Sequence, residues 1–127
     1  MFLTMDMRGF QRYREDAIQT MTPGELLLTL YDELVKRLTV AELELQKDHY
    51  EAFEAAVDRS VAVIRYLEDT LNRQYPIARD LAKLYEYFCY ELSRVKIGRN
   101  STELQRVKRM ASELRESFQE ADKHCAD

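Results

Sequence analysis

From Leu27 onward, apolar side chains return at steps of three and four: Leu27, Leu30, Tyr31, Leu34, Leu38, Ala41 and Leu45. That rhythm marks one buried face of an α-helix, and Leu26, Leu28 and Val35 widen the stripe beyond what a two-stranded seam needs. The start is punctuated by Thr22-Pro23-Gly24-Glu25. Thr22 can cap the helix, Pro23 fits the first helical position, where no N–H is needed, and Glu25 completes a capping box. The first long helix is therefore expected over 22–47. A second, over 49–72, carries Phe53, Val57, Ser60, Ile64, Leu67 and Leu71, and breaks at Arg73-Gln74-Tyr75-Pro76, where the residue before proline is pushed out of helical geometry. A third, over 77–97, carries Leu81, Leu84, Phe88, Leu92 and Val95, with Gly98 expected as its left-handed stop. Asn100 or Ser101 then caps a fourth helix over 101–124, whose Leu104, Val107, Ala111, Leu114, Phe118, Ala121 and Cys125 make the most regular stripe. Upstream, residues 7–19 form a shorter candidate helix with Phe10, Tyr13, Ala17 and Ile18 on its apolar side.

Helices of about 20 to 25 residues span roughly 30 to 37 Å, and short connections force neighbours to run antiparallel. The expected fold is all-α: an antiparallel up-down four-helix bundle with a short extra N-terminal helix, in one domain over residues 1–127. Composition agrees. Only three glycines and two prolines are present, too few for the frequent turns of an all-β fold. With 46% hydrophobic and 33% charged residues, the chain is too apolar for disorder and too charged for a membrane protein. The sequence MFLTMDMRGF places Asp6 and Arg8 ahead of any signal-like apolar run, and no stretch approaches a membrane span, so a soluble cytoplasmic protein is expected.

The net charge of −4 lacks the basic surplus that nucleic-acid binding rests on. Cys89 and Cys125 form no metal-binding spacing, and their apolar surroundings suit buried thiols. A di-iron bundle needs paired Glu-x-x-His motifs, yet Gln46 and Ala121 stand three before His49 and His124. Nor do three separated glycines make a phosphate loop. No cofactor, metal or catalytic residue is expected, and the chain is read as a non-enzyme. The basic cluster Arg94, Lys96, Arg99, Arg106, Lys108 and Arg109 has two readings: cations complementing a helix C-terminus, or a docking patch for an acidic partner.

Eight tyrosines and no tryptophan are the most unusual feature of the composition. Tyr85, Tyr87, Phe88 and Tyr90 crowd the third helix, and helical geometry puts 85 and 88 near the core stripe but 87 and 90 on other faces. Tyrosines with wet hydroxyls and apolar rings are common at binding surfaces.

The segment YREDAIQTMTPGELLLTLYDELVKRLTVAE (13–42), followed by VAVIRYLEDTL (61–71) and LAKLYEYFCYEL (81–92) with its Leu84-Tyr85-Glu86-Tyr87, resembles the flagellin-specific export chaperones, the FliS family. The likeness runs over about residues 10–122. Asp80 stands where the family usually has asparagine, and Val95-Lys96 where it has Ala-Asn. The resemblance implies a cytoplasmic binding protein that holds the disordered C-terminal segment of flagellin, prevents premature polymerisation and delivers it to the flagellar type III export apparatus. Tyr13, Ile18, Leu27, Tyr31, Tyr85, Tyr87 and Phe88 are the expected client-binding residues, in or beside the client surface. Residues 7–19 are expected to cover part of that surface as a displaceable plug. The alternative is a helical adaptor for another amphipathic secretion substrate or regulator. Self-association as a homodimer is left open.

Overall fold

The computed structural model describes the backbone from Met21 to Ala126 and side chains through Lys123. Among these residues there are four helices and no strand: α1 (Pro23–Gln46), α2 (Tyr50–Asp69), α3 (Ile77–Gly98) and α4 (Ser101–Ala126). The candidate helix at 7–19 lies outside the described residues. α1 packs on α2 and α4, and α3 packs on the same two, so α1 and α3 face each other across the diagonal of an antiparallel four-helix bundle. The turns at 47–49 and 99–100 share one end of the bundle, and the loop at 70–76 lies at the other.

Each boundary has a local cause. Thr22 is extended, its hydroxyl accepts the Glu25 N–H at 3.1 Å, and the Glu25 carboxylate accepts the Thr22 N–H at 3.3 Å. This is the capping box the sequence predicts. α1 ends where Asp48 turns left-handed (φ 58°), a conformation that short polar side chains tolerate, and the Tyr50 hydroxyl donates to Asp48 at 3.1 Å. α2 stops at Asp69, ahead of the expected 72, because the Thr70 hydroxyl donates to the Leu67 carbonyl at 2.8 Å and competes with continued helix. Asn100 caps α4, its amide oxygen accepting the Glu103 N–H at 3.1 Å.

The stop of α3 differs from expectation. Gly98 is the last helical residue, and no described glycine has positive φ. The left-handed position belongs to Arg99 (φ 52°, ψ 41°), whose N–H donates to the Val95 carbonyl at 2.7 Å. Its guanidinium lies 3.5 Å from the centre of the Tyr50 ring, so the strain of a left-handed non-glycine is offset by stacking across the two turns.

The stripes meet in one core. Leu34 and Leu38 from α1, Phe53 and Ile64 from α2, Leu92 and Val95 from α3, and Leu104 and Val107 from α4 are all fully buried. Truncating a leucine such as Leu34 to alanine in such a core costs about 2 to 5 kcal/mol.

Candidate functional site

The stripes on α3 and α4 carry more apolar surface than the core covers, and the surplus shows as two clefts. The first, of about 230 Å³, opens where α1 begins, α2 ends and α3 begins, and Leu26, Leu27, Leu71, Tyr75, Ile77 and Leu81 line it. Tyr75 and Ile77 are largely exposed here, at 63% and 55%. The second, of about 280 Å³, lies between α3 and α4 and is lined by Leu84, Met110, Glu113, Leu114 and Ser117. Leu81 and Leu84 are one turn apart on α3, so the first half of that helix is the wall common to both clefts. Half-buried apolar side chains with empty space beside them can accept an amphipathic segment without rebuilding the core.

The expected site residues divide by burial. Leu27 is half-buried and faces the first cleft. Tyr87 is half-buried on α3, with Arg106 5.9 Å from its ring centre and Phe88 6.2 Å away. Tyr31, Tyr85 and Phe88 are completely buried, so in this conformation a partner cannot touch them. The Tyr31 and Tyr85 hydroxyls share a hydrogen bond of 2.7 Å, and the Phe118 ring lies 5.5 Å from that of Tyr31. Burial, and for Tyr31 also the neighbouring phenol, pushes both hydroxyls above the ordinary tyrosine range. Tyr13 and Ile18 lie outside the described residues. Sequence reasoning did not single out Leu26, Leu71, Tyr75, Ile77, Met110 or Leu114 as lining a site. The one signal available was the apolar pair Tyr75 and Ile77 around a proline, in a loop otherwise polar.

Five of the six cations in the basic cluster are engaged within the bundle. Lys96 pairs with Asp58 at 2.9 Å, Arg106 with Glu103 at 3.3 Å, Lys108 with Glu42 at 3.4 Å and Arg94 with Glu91 at 3.7 Å, while Arg99 stacks on Tyr50. The hydrogen bond that the Lys96 ammonium donates to the Asp58 carboxylate holds that ammonium above its usual range. On the α2–α3 seam, Arg65 reaches Glu86 at 2.7 Å and Glu68 at 3.4 Å. Desolvation raises the Glu68 carboxyl, whereas hydrogen bonds from Glu68 and Arg65 lower that of Glu86. The Cys89 thiol is buried and pushed upward by that burial, away from reactivity. Among the described residues no group of three or more His, Cys, Asp or Glu could hold a metal ion, and no helix is long and apolar enough to cross a membrane.

A four-helix bundle with open apolar clefts in its wall belongs to the class of helical binding proteins. More particularly, the chain belongs to the flagellar protein FliS family, whose profile matches residues 6–125. It is 25% identical over 112 residues to the flagellar secretion chaperone FliS of Bacillus subtilis (strain 168), a match covering 88% of this chain and 84% of that one. A crystal structure of a flagellar chaperone from bacteria has the same fold, with a TM-score of 0.76 at 17% identity over 94% of this chain and 98% of the other. The family is one of flagellar secretion chaperones and not of enzymes.

Proposed function

We propose that this protein is the export chaperone of flagellin. It holds the disordered C-terminal segment of flagellin in the cytoplasm, keeps it from polymerising and delivers it to the flagellar type III export apparatus. Family membership supports the chaperone role, and the observation that carries the binding mode is the pair of apolar clefts flanking the first half of α3. A disordered client that is apolar at helical spacing gains burial on such a surface, and that gain must exceed the entropy lost on ordering. Leu27 and Tyr87 contact the client directly, while Tyr31, Tyr85 and Phe88 lie beneath. The reading of residues 7–19, which lie outside the described residues, as a displaceable plug over this surface is part of the same proposal.

Calorimetric titration with the C-terminal segment of flagellin from the same organism tests the proposal. One-to-one binding with a large negative heat-capacity change, lost when flagellin lacks that segment, is the expected result. Deleting residues 1–19 of the chaperone should tighten that binding. No binding by the folded bundle would overturn the flagellin reading and turn the search toward another amphipathic secretion substrate.

A further inference from the structure

The pairing of Tyr31 and Tyr85 needs an explanation that stability does not provide. Both side chains are wholly buried, one on α1 and one on α3, and the two helices are diagonal partners in the bundle. Their hydroxyls meet at 2.7 Å across the core. Two phenols in this arrangement exchange two sets of water contacts for one bond, and an apolar pair of the same shape would serve folding equally well. What such a bond adds is direction and distance, since it fixes where one helix stands relative to the other.

The position of the bond is informative. Tyr85 follows Leu84 and lies one turn beyond Leu81, the residues with which α3 enters the two clefts. Tyr31 lies one turn beyond Leu27, which lines the first cleft from α1. The first half of α3 is thus open on both flanks, and its place is set by what it touches inward. Ala78, Leu81 and Tyr85 make that inward face, and only Tyr85 among them makes a directional side-chain bond there. We propose that the Tyr31–Tyr85 hydrogen bond is a positioning strut that holds the first half of α3 at a fixed distance from α1 and so keeps both clefts open for a helical partner segment. This deepens the chaperone reading, on which its consequence for flagellin binding rests.

The test compares the full-length chain with Tyr31→Phe, Tyr85→Phe and the double variant. Each single variant strands one buried hydroxyl, so each should melt below the double variant, which stays close to the native chain. In the double variant, amide hydrogen exchange over residues 77–88 should accelerate several-fold while α2 keeps its protection. Affinity for the flagellin C-terminal segment should fall about tenfold, although the double variant is folded. Unchanged exchange over 77–88, or native affinity in the double variant, would overturn the strut. Should the native chain not bind the segment at all, the flagellin reading fails on its own, and the exchange experiment on the free protein still decides whether the strut exists.

Discussion

Two phenolic protons in the interior make the stability of this protein sensitive to alkali. In the folded chain Tyr31 and Tyr85 ionise above the ordinary tyrosine value of 10.0, because an ionised phenol would be stranded away from water. A group whose pKa is raised by folding contributes stability that is complete below its unfolded value and declines above it. The urea midpoint is therefore expected to be insensitive to these groups up to about pH 9 and to fall as pH climbs past 10. Replacing both by phenylalanine should flatten that alkaline limb, and urea unfolding across the range checks it. The carboxyls on the α2–α3 seam pull in opposite directions on the acid side. Glu68 is raised and favours the fold at low pH, whereas Glu86 is lowered and its contribution disappears as pH falls through its folded value. At this scale the sequence was least readable. The partner of Tyr31 is 54 residues away, and those of Lys96 and Lys108 are 38 and 66 away. No periodicity within one helix reveals that a tyrosine has a buried acceptor on its diagonal neighbour, or that a cation is neutralised from another helix. A tyrosine in a core and a tyrosine on a binding face therefore look alike until the helices are assembled.

Helices were far more readable, because their limits are written in neighbouring residues. The Thr22-Pro23-Gly24-Glu25 box and the Asn100 cap both act within a turn of where they stand. The Gly98 stop went astray for a reason that is not local: Arg99 accepts the left-handed position because Tyr50, at the start of α2, lies under its guanidinium. This gives a graded expectation. Arg99→Gly relieves the backbone by about 1 kcal/mol while losing a stacking interaction of about 0.5 to 1 kcal/mol, so its melting temperature should stay near the native value. Arg99→Ala keeps the strain and loses the stacking, and should be less stable by about 1 kcal/mol. Equal melting temperatures for the two variants would show that the left-handed backbone costs nothing, and an Arg99→Ala variant as stable as the native chain would show that the ring contributes nothing. The clefts were legible only in outline. The widened stripe of α1 and the crowded aromatic residues of α3 announced surplus apolar surface, but which of those residues stay uncovered depends on how closely the neighbouring helices approach.

Across the whole molecule, the two ends of the bundle are unlike. One end is closed by the turns at 47–49 and 99–100, joined through the Arg99–Tyr50 contact and, a little further in, by Lys96 and Asp58. The other carries the loop at 70–76, the first cleft and the close approach of Asp122 to Gly24. The chain is in effect two helical hairpins, α1–α2 and α3–α4, and the segment 72–77 between them is exposed at every position. A single cut there severs no helix and leaves every core contact in place. Brief trypsin treatment should therefore nick the described part of the chain first after Arg73, and the two hairpins should travel together on a sizing column as a non-covalent pair. Once cut, the fragments must find each other from solution, so the melting temperature should rise as the nicked protein is concentrated. Fragments that part on the column would show that the tether, and not the shared core, unites the halves. Held together, they would make a protein that can be reconstituted from two separately made pieces, with α3 labelled or altered while α1 and α2 remain native.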